Sequence, residues 1–261
     1  MMYTNKKFSQ LVKETDFLYW WKPGKKFKVF PRPLNVGDAL SVYIVWNVMK
    51  EKGVTLNKNN NKLMGIGSIM NHARTGDVIW GTGYNSVKDD STYIFSDLVV
   101  TAVRGPITKK FLEKRGITVP SVFGDPGLLT SRYFPKPEKQ DIEYLVIPHI
   151  SENKNKFQAP HVLETKGCVE EFMKEIVRAK KVISSSLHGI IIAESFGIPA
   201  VLLKDNNGEG DEKYHDYYQG TGRPDFPMCK TLEEALKVEP IELPDIEEIQ
   251  NRLLNSFPEH L

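Results

Sequence analysis

Several acid, base and anion-binding side chains of this chain fall at strand-to-helix junctions. The most informative is His188, which follows a serine-rich loop after an apolar run and opens a predicted helix. Imidazole titrates near neutral pH, and we expect the helix N-terminus to lower its pKa and point the ring at a cleft. His188 is therefore the predicted acid or base, Glu194 on the same helix is a candidate partner, and Ser185, Ser186 and Leu187 are predicted to contact substrate. A purely structural histidine is the alternative.

A second candidate segment, Asn35-Val36-Gly37-Asp38, opens another predicted helix. Backbone amides at a helix N-terminus bind anions or sugar hydroxyls, and Gly37 lets a ligand approach the backbone closely. Asp38 can accept a proton from an acceptor hydroxyl. The alternative is that Asn35 or Asp38 only caps the helix.

Arg104 lies between a predicted strand and a helix that begins with proline. Its guanidinium can hold a carboxylate or phosphate through two parallel hydrogen bonds. The glycine turns at 65–68 and 81–83 follow predicted strands, and we expect them to line the same cleft, because ligands of open α/β sheets lie beyond the carboxyl ends of strands. A surface salt bridge is the alternative for Arg104, and tight turns without a ligand are the alternative for the glycines.

Residues 204–227 are predicted to form a long loop rich in aromatic side chains. Aromatic faces such as that of Tyr217 stack on pyranose rings, so the loop is typical of a lid or a sugar platform. Lys204, Lys213 and Arg223 are the candidate phosphate ligands. An oligomer contact is the competing interpretation.

The elements that must position these residues alternate as strand and helix, which predicts an α/β fold of two Rossmann-like halves with mostly parallel sheets. Strands are predicted near residues 27–30, 62–66, 77–80, 98–103, 121–123, 143–147, 181–184 and 200–203. Helices are predicted near residues 37–50, 106–114, 169–180, 188–196, 232–237 and 244–254. Prolines and charges at 131–141 place the boundary there. We therefore expect an N-terminal half over 1–135, a C-terminal half over 136–261, and a ligand cleft between them.

Composition narrows the classes of protein. A net charge of +2 from 35 basic and 33 acidic residues disfavours nucleic-acid binding. The two cysteines, Cys168 and Cys229, suggest neither a zinc site nor a disulfide framework, and no metal cluster is apparent. No segment is apolar enough to span a bilayer, so we predict a cytoplasmic protein. The aromatics at 18–21, beside lysines, predict either peripheral membrane contact or core packing.

Taken in order, NVGD, the GxG strand ends, VRGP, GDPG, IPH, SSSLHG with ESFGIPAV, and KYHDYY resemble the polysaccharide pyruvyl transferase family. The resemblance covers roughly residues 27–223. It is closest to members that act in exopolysaccharide synthesis, in which a serine-rich SSLHG replaces an arginine before the Leu-His pair.

The resemblance implies a GT-B-like architecture, phosphoenolpyruvate as donor, no cofactor, and a sugar or lipid-linked oligosaccharide as acceptor. By the same resemblance His188 is catalytic and Arg104 contacts the donor. Ser186 departs from the arginine of other branches, and Lys204, Lys213 or Arg223 is expected to replace it. A lipid-linked acceptor is consistent with a place at the inner face of the plasma membrane.

Two other functions fit the same patterns. A GT-B glycosyltransferase that uses a nucleotide sugar is the enzymatic alternative, because fold analogy alone does not separate the two reactions. A non-catalytic sugar-binding protein of a polysaccharide assembly complex is the second.

Overall fold

The computed structural model describes residues 6–24, 32–56, 60–136, 139–204 and 210–261. Within these ranges the strands are β1 (Leu18–Tyr19), β2 (Leu63–Met64), β3 (Val78–Trp80), β4 (Val99–Ala102), β5 (Leu145–Ile147), β6 (Val182–Ser184), β7 (Ala200–Leu203) and β8 (Met228–Cys229). The helices are α1 (Lys6–Glu14), α2 (Val36–Lys52), α3 (Pro106–Glu113), α4 (Thr130–Tyr133), α5 (Val169–Ile176), α6 (Leu187–Ser195), α7 (Glu212–Gly220), α8 (Leu232–Lys237) and α9 (Ile246–Asn255).

The strands form two four-stranded sheets, in the orders β1-β2-β3-β4 and β5-β6-β7-β8, and every neighbouring pair is parallel. The central strands β2, β3, β6 and β7 and the edge strand β5 are buried along their whole length. Strands buried on both faces read as continuous apolar runs, which is why these segments stand out in the sequence. The prediction of two Rossmann-like halves with parallel sheets is confirmed.

The two halves share one hydrophobic core. Side chains of α2 and α5 and the α6 residues Ile190 to Ile192 belong to the same buried cluster. The last helix, α9, packs on the first half, where the Trp80 indole donates to the Leu253 carbonyl at 2.9 Å and meets the Phe257 ring edge-on at 4.9 Å. The division at 1–135 and 136–261 stays a prediction, and α9 ties the end of the chain to the first part.

The main difference from the predicted elements is α7, which lies within the predicted loop 204–227. Tyr214, Tyr217 and Tyr218 are buried and spaced as one face of a helix, so packing stabilises this polar segment as a helix. Residues 121–123 contribute only an isolated bridge between Phe123 and Val103. The predicted strand at 27–30 lies outside the described residues. Helices α1 and α4 and strands β1 and β8 had not been predicted.

The aromatic segment near the N-terminus packs largely inside the protein. Leu18 and Trp20 are buried, Tyr19 stacks on His72 at 5.2 Å, and Trp21 is exposed at the edge of the cleft described below. These contacts are those expected for core packing; membrane contact stays a prediction. Among the described residues, no helix is long and apolar enough to cross a membrane.

Candidate active site

A cleft of about 300 Å³ opens between the two halves. Its lining comes from strand ends and helix starts of both sheets: Trp21, Asn35, Asp38, Gly67, Ser68, Ile69, Asn71, His72, Asn85, Lys88, Arg104, His149, Ile150, Ser186, Leu187, His188 and Lys213. The predicted acid, the predicted donor-binding arginine and the predicted base therefore border a single cavity.

The N-terminus of α2 forms one wall. Asn35 caps the helix, with its side-chain oxygen accepting from the Gly37 amide at 3.0 Å. Asp38, in the first turn, is 9% exposed and borders the cleft beside the Gly67 turn. Helix capping and a cleft position were alternatives in the sequence. In the structure Asn35 caps α2 and also lines the cleft, together with Asp38.

Gly37 is required by the histidine rather than by a ligand. A Cβ atom at this position would lie 2.1 Å from Nδ1 of His188 and 2.4 Å from Cγ. Such distances are far inside van der Waals contact, so only glycine lets the imidazole of α6 lie against α2. Gly37 itself is not among the residues that line the cleft.

The loop between β6 and α6 places His188 at the first turn of its helix. The Ser186 amide donates to Oγ of Ser184 at 3.0 Å, which closes the turn. The hydroxyl of Ser185 donates to the Glu152 carboxylate and accepts from the His149 amide, so it holds the neighbouring loop instead of facing the cleft. Ser186 and Leu187 do border the cleft.

Arg104 is held by a buried clamp. Its side chain is 1% exposed, and Nε donates to Oδ2 of Asp216 at 3.1 Å, Nη1 to the Ser68 hydroxyl at 2.7 Å and Nη2 to the Tyr84 carbonyl at 3.3 Å. A guanidinium carries five N–H groups, so these described contacts use only part of its donors. Arg104 is a buried ion-pair partner at the cleft wall, not half of a surface salt bridge.

Glycines allow this clamp to close. A Cβ atom at Gly83 would lie 2.1 Å from Cζ of Arg104, and one at Gly105 would lie 1.8 Å from the Asp216 carbonyl oxygen. The turn at 81–83 was predicted to line the cleft; the structure instead shows it packed behind the guanidinium. The turn at 65–68 reaches the cleft directly through Gly67 and Ser68.

Helix α7 ties the two halves together beneath the cleft. Asp216 accepts from both the amide and the hydroxyl of Thr108 at the start of α3, at 3.0 and 2.6 Å. The Tyr214 hydroxyl donates to the Ser185 carbonyl at 2.7 Å. One helix therefore positions both Arg104 and the loop that carries His188.

A buried carboxyl, Asp125, lies behind this wall. It is fully buried, and Oδ1 accepts from the Gly127 amide at 2.9 Å. Burial raises the pKa of Asp125 to about 6, an effect that the Gly127 and Gly67 amides and the Arg104 charge partly offset. Asp125 thus couples the turn at 124–127 to the Gly67 turn that faces the cleft.

Besides Gly37 and Ser185, four predicted site residues lie away from the cleft. Glu194, Tyr217 and Arg223 form an internal network in which Arg223 Nη1 and Nη2 donate to the two Glu194 oxygens at 2.9 and 2.7 Å, and the Tyr217 hydroxyl donates to the same carboxylate at 2.5 Å. Lys204 pairs with Asp211 at 2.5 Å and borders a separate cavity. The Glu194 carboxylate is buried and accepts three hydrogen bonds, so it does not face the cleft. The geometry therefore gives Glu194, Tyr217 and Arg223 structural roles.

Other polar residues in the cleft had been given no role from the sequence. His72, Asn85 and Lys88 follow β2 and β3, and His149 follows β5. The sequence did carry a signal for them, because each is a polar side chain just beyond the carboxyl end of a parallel strand, where ligands of open α/β sheets bind. Burial, Lys88 and Arg74 lower the pKa of His72.

The cleft carries more positive than negative charge. Lys88, Arg104 and Lys213 face it, and Asp38 is the one carboxylate among its described lining residues. Low-dielectric walls strengthen the attraction of such a set for an anion. No group of three or more potential metal ligands occurs within the described ranges.

Fold and site together define a two-half α/β protein with a positively charged cleft between parallel sheets. A profile of the polysaccharide pyruvyl transferase family matches residues 35–207, from the start of α2 past the end of β7. The chain belongs to this family, which confirms the resemblance seen in its motifs and indicates transfer of a pyruvyl group to a polysaccharide acceptor.

Two similar proteins add no assigned function. An uncharacterised protein of Acanthamoeba polyphaga mimivirus is 29% identical over 225 residues, which cover 78% of this chain and 77% of that protein. The crystal structure of a functionally uncharacterised protein from Klebsiella pneumoniae is 12% identical, with a TM-score of 0.49, and the match covers 87% of this chain and 100% of that one.

Proposed function

We propose that this protein transfers the pyruvyl group of phosphoenolpyruvate to two hydroxyls of one sugar in a polysaccharide or its lipid-linked precursor, forming a ketal. The observation that carries the proposal is the meeting of His188 and Arg104, from opposite halves, at one cleft with surplus positive charge. A donor with both a phosphate and a carboxylate matches that charge, and its methylene carbon needs a proton donor beside it.

Donor binding uses the cations of the cleft. The Arg104 guanidinium, pre-oriented by Asp216 and Ser68, offers its remaining N–H groups to the carboxylate or phosphate. Lys213 borders the same cleft and is the group we propose in place of the arginine that Ser186 lacks. Lys204 and Arg223 are engaged elsewhere by Asp211 and Glu194.

The first step is an addition. His188 gives a proton to the methylene carbon, which becomes a methyl group and leaves positive charge on the carbon that bears phosphate. One sugar hydroxyl adds to that carbon and loses its proton to Asp38. A tetrahedral intermediate with both phosphate and sugar oxygen on one carbon results.

The second step is a displacement. Another hydroxyl of the same sugar gives its proton to His188 and takes the place of phosphate as the ketal closes. The C–O bond to phosphate breaks with its electron pair on phosphate, which takes the proton held by Asp38, so both side chains return to their starting states. Arg104 and Lys213 stabilise the departing charge. The products are the ketal and one inorganic phosphate, so phosphoenolpyruvate and two hydroxyls balance without a redox partner or cofactor.

The proposal is tested by ligand binding, because a ligand that binds only the folded state raises its thermal midpoint by mass action. Phosphoenolpyruvate and a panel of nucleotide sugars are compared by thermal shift and titration calorimetry, with Arg104→Lys as the conservative variant. We expect saturable binding of phosphoenolpyruvate that weakens in Arg104→Lys. Binding of a nucleotide sugar and not of phosphoenolpyruvate would contradict the proposal and favour a glycosyltransferase.

A further inference from the structure

A second cavity, of about 640 Å³, lies on the flank of the molecule. It runs between α1, α2, α5 and the segment 133–136, and we call it the lysine-rimmed groove. Its described lining residues are Lys7, Leu11, Tyr43, Trp46, Asn47, Tyr133, Phe134, Pro135, Lys136, Lys139, Asp141, Glu170, Met173, Lys174, Val177 and Arg178. Its volume is within the range of small-molecule sites, roughly 300–1,000 Å³.

The floor of the groove is apolar. Leu11 of α1, Tyr43 and Trp46 of α2, and Met173 of α5 contribute hydrocarbon and ring surface. The carboxylate of Glu170 is engaged by the Cys168 thiol at 3.1 Å and by the hydroxyl of Tyr43. A hydrated sugar or a free inorganic anion would gain little from such a floor, whereas a hydrocarbon chain would be removed from water there.

The rim carries unmatched positive charge. Asp141 forms an ion pair with Arg178, whose guanidinium donates to both carboxylate oxygens at 2.9 Å. The other cations are Lys7, Lys136, Lys139 and Lys174, and none of them forms an ion pair with another described residue. A ligand that satisfies both parts of the groove has a hydrocarbon chain and an anionic head.

The groove is connected to the cleft by α2. Asp38 borders the cleft and Trp46 borders the groove, and a rise of 1.5 Å per residue separates them by roughly 12 Å along the helix. The start of α5 is joined to that of α2 by the bridge between Asn35 and Lys166. The groove and the cleft therefore border the same helix, about two turns apart.

We propose that the lysine-rimmed groove binds a lipid phosphate, with its hydrocarbon chain on the Tyr43, Trp46 and Met173 floor and its phosphate on the lysines. This rests on the proposed function in one respect: the bound lipid is then the carrier of the sugar acceptor that enters the cleft. The groove, and not the cleft, recognises the carrier.

The test uses farnesyl phosphate as probe. Binding is measured by titration calorimetry and by intrinsic tryptophan fluorescence, with Trp46→Phe to identify the part of the signal that comes from the groove. The groove variant is Lys136→Gln/Lys139→Gln/Lys174→Gln. The matched control is Lys110→Gln/Lys114→Gln/Lys230→Gln, which removes the same charge from exposed positions elsewhere. Exposed substitutions of this kind change folding stability little, and thermal unfolding checks this.

We expect saturable, one-to-one binding of farnesyl phosphate to wild type and to the control, and an affinity roughly 100-fold lower in the groove variant. Farnesol and inorganic phosphate should each bind far more weakly. Equal binding of farnesol, or equal affinity of both triple variants, would overturn the proposal. Binding to phosphatidylglycerol vesicles without binding of farnesyl phosphate would replace it with docking on a bilayer.

Phosphoenolpyruvate binding separates this proposal from the previous one. The groove variant should bind phosphoenolpyruvate as wild type does, because its lysines do not border the cleft. If phosphoenolpyruvate fails to bind wild type while farnesyl phosphate binds, the proposed reaction is wrong and the lipid site stands. If phosphoenolpyruvate binds and farnesyl phosphate does not, the proposed reaction stands and the lipid site is wrong.

Discussion

Replacing Gly37 by alanine perturbs the position of His188 without touching its chemistry. The new methyl group would lie 2.1 Å from Nδ1 of the imidazole, and the nearest ordinary contact is 3.4 Å, so the two groups must separate by about 1.3 Å. A misplacement of about 1 Å in a catalytic group costs on the order of 100-fold in rate, or about 2.7 kcal/mol of transition-state stabilisation.

The effect on folding should be smaller and partly compensated. Residue 37 is in the first turn of α2, where alanine is a better helix former than glycine by about 1 kcal/mol at most. We therefore expect a thermal midpoint within a few degrees of wild type, nearly unchanged binding of phosphoenolpyruvate, and a loss concentrated in the rate of phosphate release.

The assay is release of inorganic phosphate from phosphoenolpyruvate in the presence of a sugar acceptor. The control is Gly24→Ala, because Gly24 is exposed and a Cβ atom there would meet nothing within 4 Å. If Gly37→Ala keeps wild-type turnover, the imidazole does not act where the structure places it, and the mechanism is wrong at His188.

Three further predictions concern buried carboxylates. Asp216→Asn leaves the Arg104 charge buried without its anion, which should destabilise folding by about 3 kcal/mol in denaturant titration and weaken phosphoenolpyruvate binding; unchanged binding would contradict the clamp. Relative to wild type, Asp125→Asn should have a free energy of unfolding that is up to roughly 3 kcal/mol more favourable at pH 7 than at pH 4. Burial raises the folded-state pKa of Asp125 to about 6, so the native chain holds a proton that the unfolded chain releases. The stability that Asp125 contributes to the wild type therefore falls as pH rises from about 4 to about 6. Curves of unfolding free energy against pH that run parallel for wild type and variant would refute this. Glu194→Ala should destabilise folding by about 3 kcal/mol, because the largely buried Arg223 loses its carboxylate partner, while the folded fraction still binds phosphoenolpyruvate. Loss of phosphoenolpyruvate binding in a stable variant would place Glu194 in the binding site after all.

Much of the scaffold follows from local patterns. The buried strands β5 and β7 are uninterrupted apolar runs, β6 is apolar up to its last residue, Ser184, and α2 begins at an asparagine cap. These patterns allow the positions of the four elements to be predicted from the sequence. Arg104 and His188 each follow a parallel strand, one in each sheet. Because ligands of open α/β sheets lie beyond the carboxyl ends of strands, both residues could be expected at a cleft between the halves.

The remainder depends on tertiary contacts. Helix α7 is too polar to show as a helix unless the spacing of its three tyrosines is noticed, and it is buried tyrosine packing that stabilises it. The direction in which Glu194 points is set by Arg223 and Tyr217, which are distant in sequence. Gly37 looked like a ligand contact because nothing local shows that an imidazole from the other half lies against it.

The most direct test of the central claim is a crystal structure of the protein with phosphoenolpyruvate. We predict that the ligand lies in the cleft, with its carboxylate or phosphate on the Arg104 guanidinium and its methylene carbon about 3 to 3.5 Å from a ring nitrogen of His188. A ligand bound outside the cleft, or one whose methylene group faces away from His188, would contradict the account.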